Sequence, residues 1–506
     1  MSEENELPNG WAWTTLGDIL PIQYGKGLVE TIRDRGGQVP VYGSSGVVGV
    51  HNQALTSKAT LIIGRKGSIG SVHYSPVPCW PIDTTYFVEE SANTDLKFFL
   101  YLLSFLKLSQ LDKSTAIPGL SRSDYNPVAI KLAPLPEQQR IVAAIEQQFS
   151  RLDAGVVALR QAKEKLKRYR AAVLKAAVEG KLTEAWRAAE HPATEPASKL
   201  LERILAERRA KWGADLRVKG KDPAKVRYVE PKEPEVESLP ELPEGWCWVS
   251  LETVSSIQLG KMLSPKAYEH GLLQMPYLRN ENVRWGSIDY RDVKNMGFKE
   301  SELERYRLEP YDLLICEGGE AGRCAVYTGA SGQFLYQKAL HRVRMKSEVV
   351  SPYFIQFCMQ YYVASKIVIP RPSETTIQHL PLEKMQVLPF PLPPLAEQEQ
   401  IASEVEQRLS IVSQLEATVE ANLKRAERLR QSILKEAFAG RLVPQDPNDE
   451  PASVLLQRIR GERGGRKNGK VERKAVGNVV LEEPVNIDVE GMQQAGLWEE
   501  VGGERG

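Results

Sequence analysis

A long internal duplication constrains this chain more than any other feature. Leu7-Pro8-Asn9-Gly10-Trp11-Ala12-Trp13 returns as Leu242-Pro243-Glu244-Gly245-Trp246-Cys247-Trp248, and each copy continues into Gln-x-Gly-Lys, at Gln23, Gly25 and Lys26 and at Gln258, Gly260 and Lys261. Pro134-Leu135-Pro136-Glu137-Gln138 returns as Pro394-Leu395-Ala396-Glu397-Gln398, and from Thr115/Thr375 to Leu182/Leu442 the copies keep a constant offset of 260. Pro196-Ala197-Ser198 likewise returns as Pro451-Ala452-Ser453. A period this long describes two duplicated domains, not a solenoid of short stacked units. Two similar modules on one chain approximate a two-fold dimer, which suits a target with two half-sites.

Each copy begins with a Gly- and Pro-punctuated part in which short β-type runs, such as Thr60 to Ile63 and Asp312 to Cys316, precede an amphipathic helix. That pattern predicts a globular α+β domain. The period then changes. Ile145, Leu152, Leu159, Leu166 and Val173 recur every seven residues with Val142, Phe149 and Val156 beside them; Val405, Val412, Val419, Ala426 and Ile433 do the same with Ala402, Leu409 and Leu423. Sustained heptads between charged faces predict coiled-coil helices, started after a proline and closed near Gly180 and Gly440. The two helices are expected to pair with each other in antiparallel sense, which places a globular domain at each end of a rod. A parallel pairing, with Thr183 to Ser238 running back along it, stays open. The expected fold is therefore α+β, with two similar target-recognition domains separated by two long helices. The segments are 1–133, 134–182 (spacer helix), 183–238 (charged helical linker), 239–393, 394–442 (second spacer helix) and 443–506 (short helix and charged tail).

Composition mainly excludes. Lys plus Arg number 66 against 65 Asp plus Glu, so net charge gives no sign of a polyanion partner, although Arg160 to Lys175 and Lys199 to Arg227 are rich in basic residues and Val480 to Glu504 is acidic. The five cysteines are scattered without a C-x-x-C pair, as expected of reduced thiols in a cytoplasmic protein. The acidic opening lacks the apolar core of a signal peptide, and Phe98 to Leu108 is too short to span a bilayer, so no membrane association is expected. No phosphate-binding G-x-x-x-x-G-K-[ST] loop, no G-x-G-x-x-G and no Asn/Asp-Pro-Pro-Tyr/Phe motif is found. The six histidines lack metal-ligand spacing, and Glu383-Lys384 lacks the partners of a metal nuclease. Catalysis by this chain is not expected.

The duplicated L-P-x-G-W-x-W opening, the Gln-x-Gly-Lys after it, and the P-L-[PA]-E-Q stretch leading into a heptad helix resemble specificity subunits of type I restriction-modification enzymes. The resemblance covers the chain to about Arg463; Ala396 in place of Pro136 is a small departure. It implies that each globular domain reads one half of a split, asymmetric duplex DNA site, and that the helices set the spacing and dock methyltransferase subunits, two of them, with restriction subunits joining the assembly. It implies no cofactor on this chain itself, since S-adenosylmethionine, ATP and magnesium would belong to the partners. A stand-alone DNA-modifying enzyme and a coiled-coil scaffold without a DNA role are the alternatives.

For base readout, polar groups on Gly-rich loops are the natural candidates, because the backbone there comes close to a groove. In the first domain these are Ser44 and Ser45, between Gly43 and Gly46, and Arg65 and Lys66, between Gly64 and Gly67. In the second they are Arg279, Asn280, Asn282 and Arg284, with Arg323 and Lys338. The i, i+2 spacing of Trp11 and Trp13, and of Trp246 and Trp248, predicts both rings of each pair on one packed strand face rather than on bases.

Overall fold

Two helices of 44 residues, Leu135–Val178 and Leu395–Phe438, carry the heptads in a computed structural model that describes residues 7–111, 118–189, 195–236, 239–263, 272–346, 350–365 and 379–464. Each starts directly after a proline, where the missing N–H costs nothing. Each is followed by a glycine in the left-handed region, Gly180 at φ +70° and Gly440 at φ +72°, the conformation that closes a helix C-terminus. The heptad seam of the second helix is buried at Val405, Val412, Val419, Ala426 and Ile433.

The chain divides into two units, Met1–Gln161 with Val419–Gly506, and Ala162–Thr418. The division cuts both long helices, so each unit takes one half of each, whereas the sequence reading set the helices apart as separate segments. Within the first unit Arg430 pairs with Asp153 and lies 4.6 Å over the Phe149 ring, while Arg140 meets Asp449 at 2.7 Å. Within the second, Arg170 donates to Glu416 at 2.8 Å and Thr183 to Glu397 at 2.7 Å. In each unit, taken by itself, the chain directions are opposed, which is the antiparallel pairing.

The two units share one plan. In the first, strands Gln23–Tyr24, Thr85–Glu89, Thr60–Gly64 and Val72–Ser75 form an antiparallel sheet in that order, beside a three-stranded sheet of Gly46–His51, Val39–Gly43 and Trp80–Pro81. In the second, Ser255–Leu259, Leu340–Met345, Leu313–Cys316 and Cys324–Val326 repeat the first sheet, and Lys294–Phe298, Leu273–Leu278 and Leu335–Tyr336 the second. The helices Leu96–Leu106 and Pro352–Ser365 supply the apolar faces that pack on the sheets and on the long helices.

The repeated motifs turn out to be parts of one junction, built once in each unit. In the first, Trp11 Nε1 donates to Glu137 Oε2 at 3.0 Å, and Ala452 N donates to the Gly10 carbonyl at 2.8 Å. A Cβ on Gly440 would stand 2.4 Å from Pro8 Cγ and 3.3 Å from the Trp11 ring. In the second, Trp246 donates to Glu397 at 2.8 Å, Ala197 N to the Gly245 carbonyl at 2.9 Å, and a Cβ on Gly180 would stand 2.4 Å from Pro243 Cγ. The opening of one repeat thus meets the start of its own helix, the end of the other repeat's helix and the short helix after that. Trp13 departs from expectation: it is 45% exposed beneath Lys131, because the strand begins at Ala12 and Trp11 precedes it, so the i, i+2 rule does not link the two rings.

The junctions differ electrostatically. Glu397 also accepts from Thr183 and Arg187, whereas Glu137 Oε1 is buried with no partner among the described residues. At the offset of 260, Val443 stands where Thr183 supplies its hydroxyl. Burial therefore pushes the Glu137 carboxyl up, against the Trp11 hydrogen bond and the nearby Arg140 that pull it down. A carboxyl raised in the folded state stabilises below its unfolded value, and that contribution is lost as pH rises through the folded one. Unfolding followed upward from below the ordinary carboxyl value of 4.5 should show Glu137→Gln gaining on the parent as pH rises. A gap independent of pH would mean that Glu137 does not titrate with folding.

Candidate nucleic-acid interface

In the first domain the structure brings the two sequence-marked loops together. Strands Val39–Gly43 and Gly46–His51 pair with Gly43 opposite Gly46, leaving Ser44 and Ser45 as a two-residue turn. The loop from Arg65 to Ser71 lies against it: Ser44 Oγ accepts from Ser68 N at 3.4 Å, and the Ser44 carbonyl accepts from the Ser71 hydroxyl and from His73 Nε2 at 3.1 Å. Ser45 and Lys66 are exposed at this surface. Arg65 is not a free reading head, since its guanidinium donates to the Asp83 carbonyl at 2.9 Å and lies 5.3 Å over Tyr24.

Tyr24 was not anticipated. It is 51% exposed, and a second guanidinium, that of Arg122, lies 4.3 Å over its ring while donating to the Ile22 carbonyl at 2.7 Å. This arginine–aromatic stack beside the loops is suited to a phosphate or a base edge. Tyr24 occupies the variable position of Gln-x-Gly-Lys, so the motif gave its location but not its role; Arg122 is remote in sequence and gave no signal. The glycine of that motif is forced by packing: a Cβ on Gly25 would stand 2.0 Å from the Ile82 carbonyl oxygen, and one on Gly260 2.2 Å from that of Gln337.

The second domain contains the same loop with different chemistry. Gly64 N donates to Ser71 O and Gly70 N to Gly64 O; Cys316 N donates to Arg323 O and Gly322 N to Cys316 O. Leu120 N binds the Arg65 carbonyl at 2.9 Å and Leu380 N that of Glu317 at 2.8 Å. Backbone for backbone, Gly64-Arg-Lys-Gly-Ser-Ile-Gly-Ser71 is matched by Cys316-Glu-Gly-Gly-Glu-Ala-Gly-Arg323, and the Arg65 position carries Glu317. The loop that is basic in one domain is acidic in the other.

Of the second-domain candidates, Asn280 and Arg323 are brought together on this loop: Asn280 Nδ2 donates to the Gly318 carbonyl at 3.0 Å, and Arg323 donates to the Asn280 carbonyl at 2.9 Å and to Glu320 at 3.0 Å. Trp285, which sequence reasoning missed, donates to Glu320 at 2.7 Å. Arg284 and Lys338 are exposed and stand apart from these bonds. Arg279 is tied to Glu281 and Asp292. Asn282 is 2% exposed, and its side-chain amide donates to the Asp289 and Asp292 carbonyls, so it holds the turn together. Among the described residues no helix is long and apolar enough to cross a membrane.

The chain is similar to known proteins. A family model described as the type I restriction modification DNA specificity domain matches residues 8–164 and again 243–425. The type I restriction enzyme EcoDI specificity subunit of Escherichia coli is 24% identical over 489 residues, covering 93% of this chain and 99% of the relative. The EcoKI specificity subunit of Escherichia coli strain K12 is 27% identical over 385 residues, covering 73% and 71%. A chain solved in work on complex assembly and conformational transition of the type I R-M system superposes with a TM-score of 0.55 at 18% identity, over 86% of this chain and 99% of that one, a likeness of fold.

Proposed function

The chain belongs to the type I restriction modification DNA specificity family, carrying the family's domain twice, and on that premise we propose a division of labour between its domains and helices. Each globular domain reads one half of a split duplex site, and the two halves differ. The observation that supports unlike halves is the shared loop, which carries the exposed cation Lys66 in one domain and the carboxylate of Glu317 in the other. In the major groove cations favour guanine O6 and N7, whereas carboxylates accept from cytosine N4. The same backbone then addresses opposite hydrogen-bonding patterns.

The chemistry belongs to partner subunits on this reading. Incubated alone with duplex DNA, magnesium and S-adenosylmethionine, the chain leaves the DNA uncut and unmodified. Two methyltransferase subunits, joined by restriction subunits, would dock on the helices. Ile411 and Leu415, four residues apart and therefore on one helix face, remain exposed in the second unit and offer an apolar anchor. Sequencing the DNA modified by the complex of this chain with its methyltransferase should return a single two-part motif with unlike halves. A palindromic or uninterrupted motif would overturn the proposal. Within it, Lys66→Ala should cost about 1–3 kcal/mol of discrimination at one position of one half-site, measured by competition between substituted duplexes.

A further inference from the structure

The linker between the repeats does more than connect them. Its helix, Ala197–Val218, is anchored at its start on the second domain, where Leu200 and Ile204 are buried and Arg208 donates to the Glu252 carbonyl at 2.5 Å and to its carboxylate at 3.2 Å. From Arg209 it runs on for ten residues, roughly 15 Å, and then turns back. Gly220, at φ +69°, closes the helix, with Lys221 N donating to the Leu216 carbonyl at 2.9 Å. Asp222 caps a short 3-10 turn, Pro223–Lys225, by accepting from Ala224 N at 3.0 Å. The returning chain brings Tyr228 edge-on to Trp212, ring centroids 5.1 Å apart, beneath the Arg209 guanidinium at 5.6 Å.

That stack fixes a hairpin whose tip is cationic. Arg217, Lys219, Lys221, Lys225 and Arg227 are all exposed, and Asp222, the sole acid from 216 to 227, is engaged in its cap. None of the five makes an ion pair among the described residues. The chain as a whole has a formal net charge of +1, so this concentration is local. At an offset of 255, set by Ala197 and Ala452, the stacking pair is replaced by Lys467 and Glu483, so the second repeat's sequence lacks the rings that order the first.

We propose that this tip is a sequence-independent contact to the sugar-phosphate backbone of duplex DNA, separate from the two reading domains. Like charges gathered on one small turn repel and release counterions when a polyanion neutralises them, so the tip is electrostatically suited to one. Lys and Arg spread as points, without an exposed aromatic or amide among them, suit phosphates and not base edges. The inference rests on the DNA-reading proposal above only for the choice of polyanion.

The test uses the full chain, alone and with its methyltransferase, on fluorescein-labelled cognate and random-sequence duplexes, with affinity followed from about 50 to 200 mM salt. The variant is Lys219→Gln/Lys221→Gln/Lys225→Gln, all on an exposed turn, with thermal unfolding confirming that it folds. The slope of log affinity against log salt should become shallower by about 0.9 for each phosphate that is no longer neutralised, and affinity should fall by the same factor on both duplexes. Tyr228→Ala keeps the charge but frees the tip, and should lower affinity with the slope retained. Unchanged slope and affinity in the triple variant would overturn the proposal. So would loss of methyltransferase assembly with DNA binding intact, since the tip would then face an acidic protein surface. If the parent failed to distinguish cognate from random duplex, the reading-domain proposal would fall, while the slope difference would still decide the role of the tip.

Discussion

Exchanging residues 1–133 for the corresponding domain of a relative changes one half of the recognised sequence completely and leaves the other half as it was. The readout is the modified motif, which should keep one half-site base for base. The expectation follows from where the loops lie: Ser44, Ser45, Lys66, Tyr24 and Arg122 all fall within the exchanged segment, and Asn280, Arg284, Arg323 and Lys338 fall outside it. The exchanged domain must still complete a core it does not own. Its Phe98 packs edge-on against Phe438, centroids 5.5 Å apart, and Trp11 binds Glu137. A donor that keeps those two rings should fold; one that lacks them should lose stability before it loses specificity. If both halves of the motif changed together, the domains would not be reading independently.

Glu397→Ala should strongly destabilise the second unit. Glu397 is 1% exposed and serves the Trp246 indole, the Thr183 hydroxyl and the Arg187 guanidinium together. Removing it strands a half-buried cation and two donors, and breaking one partner of such a pair costs about 3–5 kcal/mol. Against a typical domain stability of about 5–15 kcal/mol, that is enough to lower the midpoint of denaturant unfolding plainly. Glu137→Ala at the matching place should cost less, because only the Trp11 bond disappears and an unpartnered oxygen goes with it. Equal destabilisation at the two sites would show that Arg187 and Thr183 contribute little, contrary to their geometry.

The long helices were legible because their signal is periodic and local: a proline before, a glycine after, and a heptad between. Strands such as Thr60–Gly64 and Leu313–Cys316 were legible as apolar runs. The junction was visible only as unexplained recurrence, since a hydrogen bond between Trp11 and Glu137 joins residues 126 apart. The matching of the Arg65 and Glu317 loops was hidden for a different reason. The offset of 260 that holds through the helices falls to 252 between Gly64 and Cys316, so residues aligned at constant spacing are not those that share a backbone position. Asn282 read as a candidate for base readout because its neighbours are polar; its burial comes from a turn that consumes the amide, which no residue count foretells.

The way each unit draws on both long helices has a consequence for synthesis. The first unit consists of residues up to Gln161 and residues from Val419 onward, with the whole second unit encoded between them. At about 5–20 residues per second, roughly 10–50 s separate the emergence of its two parts from the ribosome. Throughout that interval Phe98, Ile141, Ile145 and Trp11 lack the Ile433–Phe438 segment that covers them. The domain made first is thus the last to close, and its unfinished apolar face is where a chaperone, or a second nascent chain, would find the protein most open.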